Sequence, residues 1–148
     1  MGAGFGRTGT DRLRHAVTMP GLGTCHHMQE VMPNDARPGR WLRKVGGADI
    51  GRDALFEGLG AAVDWPSGHC SRELMEVYPE ATVVLTCRDR ESWWESYSKP
   101  ILTAVQGMPD AIMPTILIYT HACPDGPHDR DQVLSECDAH VAPFQAKV

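Results

Sequence analysis

At 148 residues, 42% hydrophobic and 22% charged, the chain has the size and apolar content of one globular domain with a real core. A net charge of −5 and a pI near 5.7 exclude the basic excess of a nucleic-acid binder, and no stretch approaches the ~20 apolar residues of a membrane span. The start lacks the apolar run of a secretory signal, and five cysteines without a C-x-x-C pair indicate neither zinc nor a disulfide framework, so reduced thiols and a cytoplasmic location are expected.

The first predicted element is a loop, Gly2-Ala3-Gly4-Phe5-Gly6-Arg7-Thr8-Gly9-Thr10. Its glycines permit positive φ, and backbone N–H groups freed of Cβ atoms can line an anion-binding nest. Leu13, Ala16 and Val17 follow at helical spacing. A glycine-rich loop opening a helix offers unpaired N–H groups and the positive end of the helix dipole to a phosphate or sulfate. Arg7 adds a cation, and Thr8 and Thr10 add hydroxyl donors. The plainer alternative is a glycine-rich surface loop. Gly4 to Gly9 satisfies G-x-G-x-x-G, but a dinucleotide fold needs a strand before it. Only residues 1–3 precede it here, so an incomplete first strand and weak anchoring are expected. The same glycines have Walker spacing, yet Thr10 and Asp11 occupy the Lys and Ser/Thr positions. That disfavours a metal–NTP hydrolase and leaves a phosphate cradle whose cation, Arg7, lies inside the loop.

After a break at Pro20-Gly21-Leu22-Gly23, residues 24–32 read as helical, with His26 and Glu30 four apart on one face and His27 three from Glu30. No second His follows at the offset a zinc protease requires. Residues 33–47 are loop around a short basic helix, 40–45, and Trp41 packs against the core. A helix over 52–59 and a short buried strand over 61–63 come next, closed by Asp64-Trp65-Pro66. A carboxylate at the carboxyl end of such a strand points into the ligand crevice of an α/β sheet; otherwise Asp64 stabilises the turn. Ser67 is placed to cap a helix over 70–78. Residues 81–86 form the clearest strand, β-branched and uncharged. Arg88 leaves it at the carboxyl end, and Ser96 lies about two turns along the following helix. Arg88 either faces a ligand or pairs with Asp89 or Glu91. Residues 113–119 are strand or buried helix, Pro124-Asp125-Gly126-Pro127 is a turn, and Asp129 starts a helix running towards Pro143.

The loop closely resembles that of the bacterial and fungal branch of the P-loop sulfotransferase superfamily. Further likeness follows in the same order: Cys25-His26-His27-Met28-Gln29-Glu30-Val31, Leu55-Phe56-Glu57-Gly58, Val63-Asp64-Trp65-Pro66, Glu73-Leu74, Tyr78-Pro79, Val84-Leu85-Thr86-Cys87-Arg88-Asp89 and Ser92-Trp93-Trp94-Glu95-Ser96. It thins beyond Ile101. The resemblance implies a single α/β domain over 1–148, a three-layer P-loop-type parallel sheet flanked by helices, with an incomplete first strand and a missing C-terminal part. It also implies transfer of a sulfuryl group from 3′-phosphoadenosine-5′-phosphosulfate (PAPS) to a hydroxyl or amine of a small-molecule acceptor, without a metal. Gly6, Arg7, Thr8, Gly9 and Thr10 would hold the 5′-phosphosulfate, and Arg88 and Ser96 the 3′-phosphate. Arg7 would stabilise charge on the leaving phosphate. Asp64, where relatives carry a His two residues before a Pro, is the first choice of base and His27 the second, although a carboxylate is a weak base unless burial raises its pKa. Arg12 stands where the family loop usually has Ser, beside the repelling Asp11. The alternatives are a non-catalytic nucleotide- or anion-binding remnant of that fold, or an NAD-binding Rossmann protein with Glu30 as its acidic residue. Neither a nucleic acid nor a membrane is an expected partner. The thin first strand leaves an edge that a second copy would cover, so a homo-oligomer is among the expected assemblies.

Overall fold

A computed structural model describes residues 1–19, 21, 23–31, 37–45, 48–103 and 129–146. The glycine loop runs into helix α1 (Thr10–Thr18), followed by strand β1 (Thr24–His26), helices α2 (Met28–Val31), α3 (Arg37–Val45) and α4 (Arg52–Phe56), and strand β2 (Leu59–Ala62). Helices α5 (Ser71–Val77), α6 (Arg90–Tyr97) and α7 (Arg130–Gln145) complete the described elements, with a wide helical turn at Ser98–Leu102 after α6. β1 and β2 pair in parallel, His26 opposite Ala62, as a connection containing helices allows. The fold is α/β, helices on a small parallel sheet.

Residues 1–3 extend that sheet. Gly2 N–H donates to Ala62 O (2.7 Å), Ala3 N–H to Val84 O (2.9 Å) and Val84 N–H to Met1 O (2.8 Å). Ala3 is fully buried. Three residues bonded on both sides therefore fix the entry to the loop, and the weak anchoring expected from the short lead-in is not found. The stretch over 81–86 meets this lead-in through a parallel bridge at Val84. Val84 is itself exposed, so the segment is not covered on both faces as its composition suggests.

Residues 24–32 do not form one helix. Thr24, Cys25 and His26 are drawn into the sheet by β2, and helix begins only at Met28. His26 and Glu30 thus share no helical face. α4 stops at Phe56 because Gly58, at φ 75°, turns the chain into β2. Ser67 caps nothing; its hydroxyl donates to Val63 O (3.2 Å) and Asp64 O (3.0 Å). Asp129 does cap α7, its carboxylate accepting from the amides of Asp131 and Gln132. α7 continues through Pro143 to Gln145. The expectations for 113–119 and 124–127 lie outside the described residues.

Among the described residues two apolar clusters form the core. Met28, Val31, Trp41, Leu55 and Trp65 make one, and Trp93, Val133 and Leu134 the other; Phe5 of the glycine loop packs against both. His26 is sealed inside the first, accepting at Nε2 from Trp41 Nε1–H (3.1 Å). Burial, with a smaller contribution from the Arg37 charge, pushes its pKa down to about 4. A depressed folded-state pKa means that the unfolded chain binds the extra proton, so stability must fall as pH drops from about 6.5 to about 4. His26 alone accounts for about 3 kcal/mol across that window. His27 and His140, also depressed by burial, act in the same direction. Urea unfolding at stepped pH checks this, and a midpoint constant between pH 6.5 and 4 (on the scale of these pKa values) would contradict a sealed neutral His26.

Candidate active site

The glycine loop is stitched to three separate elements. Thr8 Oγ1 donates to Phe5 O (2.6 Å) and meets Thr86 Oγ1 (2.7 Å), which ties the loop to the stretch over 81–86. Trp93 Nε1–H donates to Gly6 O (2.9 Å), tying it to α6. His140 Nε2–H donates to Ala3 O (2.6 Å), and its ring stacks on Phe5 at 4.3 Å between centroids, tying it to α7. Gly4 sits where there is no room for a side chain: a Cβ there would overlap the hydroxyl and carbonyl oxygens of Thr86. Held this way, Arg7 adopts φ 72°, and Asp64 on the same cavity φ 65°. Such left-handed non-glycine residues cost about 1–3 kcal/mol each and persist where the surroundings over-determine them, often at functional sites.

The strained turn aims Arg7 at α6. Its Nε–H donates to Ser96 O (3.0 Å) and Ser96 Oγ (3.1 Å), while Arg88 Nη1 donates to Arg7 O (3.3 Å). Arg88 pairs with neither Asp89 nor Glu91: Asp89 caps α6 through Ser92 N–H, and Glu91 pairs with Arg130. Arg7, Arg88 and Ser96 all face one cavity of about 430 Å³. Gly6, Gly9, Thr10, His27 and Asp64 share its wall, and Phe5, Met28, Trp65, Trp93 and Tyr97 give it an apolar side. Thr8 does not line it, because its hydroxyl is consumed in holding the loop. Glu30 does not line it either, and pairs with Arg14 (3.3 Å).

On the same wall Thr10 Oγ1 donates to Asp64 Oδ1 (3.0 Å). His27 Nε2 lies 3.3 Å from Asp64 Oδ2. That contact is close but off the line of a hydrogen bond, so Nε2 is buried with no hydrogen-bond partner. His27 Nδ1 accepts from Gln29 N–H (3.2 Å), which leaves the ring proton on Nε2, towards Asp64. Burial lowers the His27 pKa; Asp64 opposes this and Arg14 adds to it. The imidazole is therefore neutral at pH 7. The pocket thus gathers guanidinium groups, a helix start and a carboxylate oriented by a hydroxyl. It suits a multiply charged anion beside a group that can accept a proton.

His140, Trp93 and Thr86 position the loop without any local pattern that announces it. The apolar Phe5 between two glycines is the only sequence hint that the loop packs inward. Among the described residues no group of three or more His, Cys, Asp or Glu is placed to hold a metal ion, and no described helix is long and apolar enough to cross a membrane.

Comparison with known proteins matches residues 1–140 to the sulfotransferase domain family. The chain is also 30% identical over 111 residues to the "Ava biosynthesis cluster protein M" of Aspergillus versicolor. That alignment covers 69% of this chain and 42% of the relative, so the chain spans less than half the length of that protein. A match across nearly the whole sequence, beginning with the loop that builds the cavity, makes this chain a member of the sulfotransferase domain family.

Proposed function

We propose that the cavity binds a PAPS-type donor and that the chain transfers its sulfuryl group to a hydroxyl or amine of a small-molecule acceptor. The observation that carries this reading is the convergence of Arg7, Arg88 and Ser96 on one cavity with Thr10 and Asp64. The donor carries anionic groups at both ends of its ribose and needs two grips. The amides around Gly6, Gly9 and Thr10, with Arg7, supply one for the 5′-phosphosulfate, and Arg88 with Ser96 supplies the other for the 3′-phosphate. Thr8 serves the first grip indirectly, by fixing the loop. The reading places the sheet in a three-layer P-loop arrangement, with the crevice beyond the carboxyl ends of its strands.

In this scheme Asp64 accepts the proton of the attacking hydroxyl while Arg7 stabilises the charge growing on the leaving phosphate. His27, its Nδ1 lone pair occupied by Gln29 N–H, packs beside Asp64 and does not itself act as base. The transferred sulfuryl is less anionic than a phosphoryl group, and guanidinium and amide donors suffice to balance it. Titration with adenosine 3′,5′-bisphosphate (PAP) by calorimetry tests the donor site. Wild type is expected to bind in the micromolar range, and Arg7→Ala and Arg88→Ala are each expected to weaken binding about 10–100-fold, the worth of a charge-assisted contact. Absence of PAP binding by folded protein would reduce the chain to a non-catalytic relative of the family.

A further inference from the structure

The part of the cavity wall around Asp64 has little polar capacity left for a ligand. Gly6 approaches Asp64 so closely that a Cβ there would lie 3.1 Å from Oδ1, so a group held by the glycine loop sits next to this carboxylate. Oδ1 is taken by Thr10 (3.0 Å). Oδ2 accepts no hydrogen bond among the described residues, since His27 Nε2, 3.3 Å away, is off the line of one. The polar groups beside it are spent. His27 Nδ1 takes the Gln29 amide (3.2 Å), and Gln29 Oε1 takes Arg14 Nη2 (3.2 Å). The side chains that follow in sequence and line the cavity are apolar: Met28 after His27, and Trp65 after Asp64. Phe5 meets Trp65 edge-on at 5.2 Å between centroids and lines the cavity with it.

We propose that Asp64, Met28, Trp65 and Phe5 form the acceptor subsite, and that it selects an apolar compound bearing a single hydroxyl against amines and sugars. The assignment rests on the donor-site reading for the sulfuryl group and narrows its acceptor. The hydroxyl donates to Asp64 Oδ2 and keeps an oxygen lone pair for the sulfur. As the new O–S bond forms, the bond from sulfur to the donor's phosphate oxygen breaks. Its electron pair stays on that phosphate, and the hydroxyl proton passes to Asp64. An alkylamine arrives protonated at pH 7 and has no lone pair until it loses a proton. A carboxylate is too weak a base to take that proton, so the amine binds without reacting. A sugar brings several hydroxyls to a wall with one open acceptor. Each hydroxyl left against Met28, Trp65 or Phe5 forfeits its bonds to water.

The test uses naphthylethanol, naphthylethylamine and methyl glucoside, each titrated by saturation-transfer NMR with and without PAP, and each offered with PAPS for turnover. Naphthylethanol is expected to bind, and to be sulfated with a kcat/KM at least about tenfold above either competitor. Met28→Gln, close to methionine in size, is expected to weaken naphthylethanol about threefold or more with PAP affinity unchanged. Asp64→Asn is expected to weaken naphthylethylamine about tenfold and naphthylethanol less than about threefold, because only the ammonium needs the charge. Turnover of the amine or the glucoside within about threefold of naphthylethanol would overturn the proposal. So would naphthylethanol binding untouched by Met28→Gln, or an equal loss of both naphthyl probes in Asp64→Asn. Wild type that binds PAP but not naphthylethanol, or binds PAPS and sulfates none of the three, would refute the acceptor assignment and leave the donor reading. Wild type that binds naphthylethanol through Met28 but not PAP would remove the donor reading and leave the apolar hydroxyl site standing. Binding of neither would end both.

Discussion

Alanine at Gly4 is expected to unseat the glycine loop and destabilise the whole domain. The new Cβ would overlap both oxygens of Thr86 and approach Thr8 Oγ1 to 2.9 Å. All three are fixed: the Thr86 carbonyl is backbone, and its hydroxyl is bonded to Thr8. The loop cannot retreat the other way, because Gly68 packs so closely on the Gly4 carbonyl that its own Cβ would lie 3.0 Å from that oxygen. Relief requires moving residues 1–5 off the sheet, which breaks the bonds of Gly2 and Ala3 to Ala62 and Val84 and draws Phe5 out of both core clusters. The expected cost is about 3 kcal/mol or more, a large fraction of a domain's stability. Chemical denaturation reads it directly. A Gly4→Ala protein as stable as wild type would mean that the loop does not run against Thr86 as described.

The second large effect is on chemistry. Asp64→Asn keeps the shape and the bond to Thr10 but removes the charge. If Asp64 takes the acceptor's proton, PAP release from PAPS in the presence of hydroxyl acceptors should fall about 10²–10⁴-fold, with PAP affinity nearly unchanged. A second readout needs no turnover. The Asp64 charge partly offsets the burial that lowers the His27 pKa, so the Asn variant should lower it further, as NMR titration of the imidazole would show. Turnover within about tenfold of wild type would assign Asp64 to holding its turn and Thr10, not to proton transfer. An unmoved His27 titration would separate the two side chains altogether.

Much of the site was legible because its chemistry is local. The glycine spacing, Arg7 and the start of α1 lie within one stretch, and Arg88 and Ser96 within another. Each stretch reads as an anion contact on its own terms. Thr8 shows the limit of that reading: its hydroxyl looks like a donor to ligand, yet it donates to Phe5 O and meets the hydroxyl of Thr86. β1 was missed for a different reason. Thr24-Cys25-His26 has neither the length nor the alternation of a strand, and what makes it one is the partner β2 together with Trp41, which completes His26. The helix boundaries shifted wherever a glycine or a tertiary contact decided them, as Gly58 does at the end of α4. His140 is the clearest case of a residue that sequence reasoning cannot assign. Nothing around it in α7 predicts a bond to Ala3; only the docking of the helix creates one.

That bond joins positions 137 apart in the chain, and it has a consequence for synthesis. In synthesis the glycine loop emerges well before α7 and lacks its His140 partner until that helix has followed. Closing so large a loop is a late and slow event. Until α7 docks, the loop lacks one of its ties. A ligand of the kind proposed above, bound by the finished loop, should favour the docking of α7 by mass action.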